Sequence, residues 1–319
     1  MMKILQFRNG DTMPAIGLGT WKSKEGEVYK AVTEALRIGY RHIDCAAIYG
    51  NEAEIGQAFK DAMASGVVQR EDLWVTSKLW NNAHRKEQVL PALQQTLRDL
   101  NLDYLDLYII HWPVALKEGI GFPGSAEDFL SLDEVPLSET WEAMEQCAEQ
   151  GLARHIGVSN FSIPKIKNLL STARIRPEMN QVEMHPYLQQ NALLNYCKQE
   201  NVHITAYSPL GSSDRPVHLI QTNDPVLLED ATIAAIAEKH SCSPAQVLIS
   251  WAVHRGTSVI PKSVSPVRLQ QNLEAASVAL DGEDMAQIAE LDRGFRFING
   301  STWAREGAYY TTTAELWDE

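Results

Sequence analysis

Four side chains of different chemical types could carry proton-transfer chemistry in this chain: Asp44, Tyr49, Lys78 and His111. A carboxylate, a phenol, an ammonium and an imidazole gathered at one place suit proton transfer to a carbonyl oxygen. The pKa of a tyrosine is about 10, so a cation such as Lys78 beside Tyr49 is expected to lower it. Asp44 would keep Lys78 charged and in place, and His111 would orient the carbonyl and help to stabilise a forming alkoxide. None of the four supplies a hydride, which indicates that a cofactor does.

The stretch YRHIDCAAIYGNE, residues 40–52, positions the phenol of this group. Its first residues predict a short buried strand that ends at Asp44, and Asn51 begins a helical pattern. Tyr49 therefore falls on a strand-to-helix loop, where a rigid scaffold commonly holds chemical groups. Taken alone, the stretch is more typical of a surface loop that happens to carry a tyrosine.

The rest of the chain alternates short β-rich runs with amphipathic helical windows. The strand and helix pairs are 16–20 and 25–38, 41–44 and 51–65, 73–78 and 86–99, 104–111 and 138–150, 154–160 and 162–171, 178–183 and 190–200, 202–208 and 230–239, and 257–263 and 266–276. A hairpin is predicted before them, with ILQF at 4–7 and the segment near Met13 flanking an Asn9-Gly10-Asp11 turn. Eight such units in 319 residues predict one (β/α)8 TIM barrel domain over residues 1–319. The alternative is a doubly wound sheet, which is weakened because Gly17 and Gly19 do not complete a GxGxxG motif.

Barrel enzymes place their sites at the C-terminal ends of the strands, and seven of these predicted strands end in polar residues. In chain order the ends are Asp44, Lys78, His111, Ser159 with Asn160, Gln181 with Glu183, Tyr207 with Ser208, and Lys262 with Ser263. A buried Asp and Lys are costly unless they pair with each other. The convergence of these ends on one rim therefore predicts a single polar site.

Composition restricts the partners of this site. The chain has 28 basic and 41 acidic residues, a net charge of −13 and 45% hydrophobic residues. This balance argues against a general nucleic-acid surface or an anionic membrane partner, so any anionic ligand must meet a local basic site. The first eleven residues contain an apolar run too short for a signal peptide, and no later run is long enough to span a bilayer.

The four cysteines, Cys45, Cys147, Cys197 and Cys242, form no CxxC pair and have no histidine spacing typical of zinc. This pattern fits free thiols in a reducing compartment, and we expect a cytoplasmic protein.

The chain resembles an aldo-keto reductase of the aldose and aldehyde reductase type. The motifs that carry the resemblance are GYRHIDCAAIYGNEAEIG, LDLYIIHWP, GVSNF, NQVEMHPY, AYSPLG and VIPKSVSPVRLQQN, which lie in the order of the family from Gly19 to the tail. The resemblance places the catalytic residues of the family on Asp44, Tyr49, Lys78 and His111. It implies a monomer that binds NADPH or NADP⁺ across the barrel mouth and acts on a small-molecule carbonyl substrate, an aldehyde and in some members a ketone or an aldose.

Further site residues follow from the resemblance. The nicotinamide would stack on Tyr207, its carboxamide would meet Ser159, Asn160 and Gln181, and Thr20, Trp21 and Asp44 would lie beside it. The backbone from Ser208 to Ser212, including Leu210, would meet the pyrophosphate, and Asn272 would reach the adenine. Gln271 departs from the family, because many NADP-dependent relatives carry an acid there, and the 211–230 loop also departs from the usual sequence.

A local basic site follows the last predicted strand, where Lys262, Ser263, Val264 and Arg268 stand together in an acidic chain. An arginine with a nearby lysine and hydroxyl suits a phosphate monoester such as the 2′-phosphate of NADP. A solvated helix start that carries a stray Lys and Arg is the alternative.

The aromatic residues divide into two groups. Trp141 and Trp251 have helical spacing among apolar residues and are predicted to be core, and Trp74 lies within a strand. Trp21, Trp80 and Trp112 follow strand ends and are predicted, with Tyr49, His111, Phe122 and Trp303, to line a substrate mouth that favours apolar or aromatic bodies. The tail at 293–319 follows a helical window at 283–291, and its aromatics could instead pack on the barrel flank for stability alone.

Three other functions remain open from the residues. A metal-dependent barrel hydrolase could use Asp44, His111, Glu183 and His185, although the first strand offers no ligand and we predict no metal site. A Schiff-base aldolase could use Lys78, but Asp44 opposes the neutral amine that this requires. A non-catalytic NADPH-binding or regulatory barrel is the third.

Overall fold

The computed structural model describes residues 3–319 and contains, within that range, twelve β-strands and eleven α-helices. The strands are β1 (Ile4–Gln6), β2 (Thr12–Pro14), β3 (Leu18–Gly19), β4 (His42–Asp44), β5 (Trp74–Leu79), β6 (Leu105–Ile110), β7 (Ala115–Leu116), β8 (Phe129–Leu130), β9 (Ala153–Ser159), β10 (Met179–Glu183), β11 (His203–Tyr207) and β12 (Ser258–Val259). The helices are α1 (Glu27–Ile38), α2 (Glu52–Ala64), α3 (Lys86–Leu100), α4 (Leu137–Glu149), α5 (Ile163–Thr172), α6 (Asn191–Gln199), α7 (Ala231–Lys239), α8 (Pro244–His254), α9 (Pro266–Glu274), α10 (Gly282–Ala289) and α11 (Thr313–Trp317).

Eight parallel strands form the barrel in the order β3, β4, β5, β6, β9, β10, β11, β12. Parallel bridges from Ile16 to Val259 and from Gly19 to Lys262 join the first strand to the last and close the ring. The Gly17 amide donates to the Val259 carbonyl over 2.9 Å at this seam. The predicted (β/α)8 barrel is confirmed, and all eight strand ends face one mouth.

The predicted N-terminal hairpin is also confirmed. Strands β1 and β2 pair antiparallel with Leu5 opposite Met13. The Phe7 amide donates to the Asp11 carbonyl over 2.8 Å, and Gly10 takes a φ of 95° in the turn, a conformation that favours glycine. The Phe7 ring then packs 4.8 Å from Trp74 and 4.5 Å from His155, near the N-terminal ends of β5 and β9. The hairpin thus covers the end of the barrel opposite the mouth.

The predicted helical windows agree with the structure to within about two residues, but the helices α8 and α11 were not predicted. Helix α8 lies between α7 and the last strand, β12. Ser243 forms a capping box with Gln246, and every residue from Val247 to Val253 is buried. A helix that is apolar on all sides lacks the amphipathic period used for prediction, so only its cap marked it.

The core has two parts. The main cluster fills the barrel and the layer between strands and helices. It includes Trp141 and Trp251, as predicted, and also Trp74. A second cluster at the mouth joins Trp80, Trp112, Trp303, Tyr310 and Trp317. The tail therefore packs on the mouth, where α11 ends the chain. Among the described residues, no helix is both long and apolar enough to cross a membrane.

Candidate active site

Lys78 and Asp44 form a buried ion pair at the ends of the neighbouring strands β5 and β4. The Lys78 Nζ lies 2.5 Å from Asp44 Oδ1 and 2.7 Å from the Cys45 carbonyl oxygen, and Lys78 is only 1% exposed. Burial alone would lower the pKa of Lys78, but the charge of Asp44 and the phenol of Tyr49 outweigh it, and the net shift is upward. The ammonium therefore stays charged at neutral pH, which opposes a neutral-amine role for this lysine.

Tyr49 lies on a single 3-10 turn, Ala47–Tyr49, after β4. The Lys78 Nζ is 5.1 Å from the centre of its ring. Burial of the phenol raises the pKa of Tyr49 to about 12, although Lys78 acts to lower it. The expectation that Lys78 would bring this pKa below its ordinary value was therefore wrong, because burial penalises a phenolate more than this ammonium stabilises it. The phenol stays protonated at neutral pH and can donate.

His111 follows β6, and its ring centre lies 5.9 Å from that of Tyr49 in an edge-on arrangement. Burial, the Lys78 charge and His84 hold the pKa of His111 well below its usual range, so the imidazole is neutral. A neutral imidazole offers one N–H donor without adding a positive charge. The backbone carbonyl of His111 accepts a 2.9 Å hydrogen bond from Asn160 Nδ2, which fixes this turn of the chain.

An amide and hydroxyl network continues along the rim from the ion pair. Gln181 Nε2 donates to Asp44 Oδ2 over 2.7 Å, and Ser159 Oγ donates to the Gln181 carbonyl over 2.7 Å. Asn160 takes a φ of 64°, and its Oδ1 accepts a 2.8 Å hydrogen bond from the Tyr207 hydroxyl. Asparagine tolerates this left-handed conformation better than most residues. Six of the seven strand ends predicted to converge thus contribute to one connected network, and the last strand does not.

A cavity of about 960 Å³ opens above this network. It is lined by Thr20, Trp21, Asp44, Tyr49, Trp80, His111, Trp112, Phe122, Ser159, Asn160, Gln181, Tyr207, Ser208, Leu210, Ser212, Lys262, Ser263, Val264, Arg268 and Trp303, all of which were singled out from the sequence. Three other residues that were predicted to be catalytic or to bind the cofactor are absent from the lining. Lys78 lies behind Tyr49, and Gln271 and Asn272 lie on α9, where Asn272 is 3% exposed.

One end of the cavity is basic and is crossed by the 211–230 loop. Lys22, Lys262 and Arg268 all line it. Asp214 of the loop lies 3.9 Å from both Lys22 Nζ and Lys262 Nζ, so the loop reaches across the groove between two lysines. Asp214 is 61% exposed at its side chain, and such exposed pairs are weak. The loop therefore lies over the groove, and these two ion pairs contribute little to holding it there.

The other end of the cavity is aromatic. The Trp303 ring lies 5.5 Å from both Trp80 and Trp112 and stacks on Phe122 at 6.1 Å. The indole N–H of Trp80 donates to the Gly121 carbonyl over 2.8 Å, which ties this wall to the loop between β7 and β8. Indoles from the barrel and from the tail thus form one apolar wall.

Some residues of the site were not predicted. Lys22, Asp214 and Arg305 line the cavity, and Arg305 donates to the Pro123 carbonyl over 3.2 Å. Lys22 directly follows Trp21, so the position after the first strand was the available signal. Asp214 and Arg305 lie in irregular segments, where sequence periodicity gives no position in space.

The fold and the site define a barrel oxidoreductase, and comparisons with known proteins agree. The family model described as aldo/keto reductase family matches residues 15–293. The chain belongs to the aldo/keto reductase family.

Its relatives cover nearly the full chain. It is 54% identical over 318 residues to an aldo/keto reductase of Synechocystis sp., an alignment that covers 100% of this chain and 97% of the relative. It is 50% identical to aldo-keto reductase family 1 member A1 of Bos taurus, over 92% of this chain and 90% of that protein. The aldose reductase structure from Schistosoma japonicum superposes with a TM-score of 0.88 at 40% identity, and the alignment covers 98% of this chain and 99% of that one.

The alternative of a metal-dependent hydrolase has less structural support than the reductase. Among the described residues, no group of three or more His, Cys, Asp and Glu side chains has an arrangement that could hold a metal ion. Of the ligands considered, Glu183 is occupied by the His185 ring at 2.7 Å and by two backbone amides of the tail.

Proposed function

We propose that this protein reduces aldehydes to alcohols with NADPH. The observation that carries the proposal is the arrangement at the cavity floor. There a protonated phenol, Tyr49, lies in front of the buried Lys78–Asp44 ion pair and beside a neutral imidazole, His111. These groups are a proton donor, a fixed positive charge and a second hydrogen-bond donor, which is the set that a carbonyl oxygen needs as it gains negative charge.

The chemistry of the cavity fits a phosphorylated dinucleotide. Its basic end presents Lys262 and Arg268 in a chain with a net charge of −13, and a guanidinium suits a phosphate monoester. Its middle presents the Tyr207 ring and the Ser159, Asn160 and Gln181 side chains, which suit a flat ring bearing an amide. The basic end therefore favours NADPH over NADH, and we assign the nicotinamide to the floor beside Tyr49.

NADPH supplies the hydride when it is bound. The Tyr49 hydroxyl donates its proton to the carbonyl oxygen of the substrate. The Lys78 ammonium stabilises the phenolate that this leaves, and Asp44 holds the ammonium in place. The N–H of neutral His111 donates a hydrogen bond to the same carbonyl oxygen and orients it. Lys78 acts through Tyr49, since it does not line the cavity.

The aromatic end of the cavity indicates the class of substrate. Trp21, Trp80, Trp112, Phe122 and Trp303 present large apolar faces, and burial of apolar area is the main source of affinity for small molecules. We propose aldehydes with apolar or aromatic bodies as the preferred substrates. Ketones and aldoses, which need the same proton transfer, would follow with lower efficiency.

The direct test is NADPH oxidation, followed by absorbance, with an aromatic aldehyde and the purified protein. Turnover that requires the aldehyde supports the proposal. NADPH binding without turnover, over a panel of aldehydes and ketones, would instead favour a non-catalytic NADPH-binding barrel. A stable covalent adduct of the aldehyde on Lys78 after treatment with borohydride, which reduces an imine to an amine, would instead favour Schiff-base chemistry.

A further inference from the structure

The ring of Phe297, near the start of the tail at 293–319, packs against the 211–230 loop at the basic end of the cavity. The guanidinium carbon of Arg215, in the 211–230 loop, is 4.9 Å from the centre of this ring. A Cβ at Gly211, where the same loop begins, would approach the ring within 3.2 Å. Phe297 is 1% exposed and does not line the cavity. It therefore touches the cofactor loop without touching the proposed cofactor.

Arg215 also organises the loop itself. Its Nε donates to the Leu219 carbonyl over 3.1 Å, its Nη1 donates to the Ser212 carbonyl over 3.2 Å, and its Nη2 pairs with the Asp224 carboxylate. The side chain is 3% exposed. A buried guanidinium with three such partners holds the loop in one shape, because any other shape would leave these groups unpaired. The neighbouring residue is Asp214, which lies between the two lysines across the groove.

The backbone at Phe297 is the start of the wall of the substrate pocket. Its amide and that of Ile298 donate to the two carboxylate oxygens of Glu183 over 2.7 and 2.8 Å. Glu183 is 1% exposed at the end of β10, so this anchor is fixed to the barrel. Ile298 lines the cavity, and Trp303 follows five residues later. A shift at Phe297 would therefore move the apolar wall.

We infer that Arg215 and Phe297 couple closure of the cofactor loop to the position of the tail that walls the substrate pocket. Release of a cofactor from the groove requires the loop to open at Asp214. When the loop opens, the contact between Arg215 and Phe297 either breaks or pulls the tail along with the loop. The coupling runs through a continuous series of packed groups, from Asp214 through Arg215 and Phe297 to Ile298. Glu183 is the positioning residue, because its carboxylate accepts from the Phe297 and Ile298 amides when the tail is in its closed position. This inference rests on the proposed function for the identity of the ligands at the two ends.

The test uses substitutions at each side of the contact and measures the effect at the other end. Phe297→Leu keeps an apolar side chain but removes the ring face, and Arg215→Lys keeps the charge that pairs with Asp224 but removes the planar guanidinium. Phe297→Leu is expected to speed NADPH release about three- to tenfold in stopped-flow fluorescence. Arg215→Lys is expected to reduce the ratio of kcat/KM for a bulky over a small aldehyde by a similar factor. The double variant should be little worse than either single variant, because both remove one interaction.

Two control variants separate this coupling from general destabilisation. Phe295→Leu removes an aromatic ring 5.1 Å from Phe297 that has no contact with Arg215, and Val217→Ala changes an 85% exposed residue of the same loop. Both should keep NADPH release and substrate ranking within twofold of wild type. In protein without cofactor, Arg215→Lys should also increase hydrogen exchange at the amides of 297–303.

The inference is overturned if Phe297→Leu releases NADPH at the wild-type rate, or if the two substitutions multiply in the double variant. It is also overturned if Phe295→Leu has the same effects as Phe297→Leu. Failure of the proposed function would look different, because the wild-type protein would then bind no NADPH or reduce no aldehyde. The hydrogen exchange comparison would still report on the contact in that case.

Discussion

At the scale of single residues, the convergence of the candidate catalytic groups and the charge of Lys78 could be predicted, but the ionisation of Tyr49 could not. The strand ends placed Asp44, Lys78 and His111 on one rim because parallel strands of a barrel share a mouth. The pKa of Tyr49 depends on how deeply the phenol is buried, and the sequence names its charged neighbours but not its solvation. The structure therefore reverses the expected direction for Tyr49 and leaves its proposed role as a donor unchanged.

Replacing Tyr49 by Phe tests this role. We expect aldehyde reduction to fall by about two or more orders of magnitude, since general acid catalysis contributes that much, while NADPH binding changes little. Lys78→Met should reduce turnover similarly, and Tyr309→Phe, at a 46% exposed position, serves as the matched control. A Tyr49→Phe variant that retained more than about a tenth of wild-type kcat, a barrier change below about 1.4 kcal/mol, would show that Tyr49 is not the acid.

The basic end of the cavity gives a second prediction at this scale. Arg268→Ala should weaken NADPH binding by about 1.5–3 kcal/mol and NADH binding far less, because only NADPH carries the extra phosphate. Fluorescence titration with both cofactors measures the difference. Arg98→Ala, an exposed arginine on α3, is the control and should leave both affinities unchanged. If Arg268→Ala weakened NADPH and NADH binding equally, this arginine would contact a part that both cofactors share and not the extra phosphate of NADPH.

At the scale of elements, the alternation of strands and helices along the chain was sufficient to predict the barrel. It was insufficient to predict α8 and the segments that cover the mouth. Short buried strands and amphipathic helices have distinct periods, so eight units could be counted. Helix α8 lacks that period because it is buried on nearly all sides. Strands β7 and β8 and helix α11 lie in otherwise irregular segments. Their placement depends on contacts with Trp80 and Trp112, which no local sequence pattern encodes.

The tail shows how an irregular element can determine specificity. Trp303→Ala should lower kcat/KM for bulky aldehydes by about 1–3 kcal/mol relative to small ones, because it removes the ring that contacts Trp80, Trp112 and Phe122. The dissociation constant for NADPH should not change. Tyr309→Ala, which lies on the same tail outside the cavity, is the control. A Trp303→Ala variant that melts several degrees lower but ranks aldehydes as wild type does would assign the tail to stability alone.

At the scale of the whole molecule, the candidate active site and the N-terminal hairpin lie at opposite ends of the barrel. The mouth carries the ion pair, the phenol and the cavity, whereas the hairpin covers the other end. Beneath the hairpin, His155 is 2% exposed and its ring stacks on Trp74 at 5.2 Å. Its Nδ1 pairs with the Glu178 carboxylate, and its Nε2 lies 3.0 Å from Asp11 Oδ2 in the hairpin turn. This histidine therefore ties the hairpin to β9 and to the start of β10.

The contacts of His155 with Glu178 and Asp11 should make the free energy of unfolding depend on pH. Burial would lower the pKa of His155, but Glu178 and Asp11 outweigh it and raise the pKa above 6.5. A group whose pKa is raised on folding stabilises the protein fully below its unfolded pKa, and this stabilisation is lost as the pH rises through the folded pKa. The Asp11 carboxylate must also be charged, and its pKa is lowered by His155 although burial opposes this. The contribution is therefore largest between the ordinary pKa of Asp and about pH 6.5.

Asp11→Asn tests the tie, because it preserves the shape of the hairpin turn and removes one of the two charges that face His155. At pH 6 the variant should be less stable than wild type by about 1 kcal/mol, a value limited by the partial exposure of Asp11. The difference should begin to shrink above pH 6.5, where His155 of the unfolded chain is already neutral. It should be lost as the pH rises through the raised pKa of folded His155. Denaturant unfolding of both proteins across this range measures it, with aldehyde reduction at the far end of the barrel as a control expected to stay unchanged. A stability difference that is the same at pH 6 and pH 9 would mean that the His155 charge does not hold the hairpin.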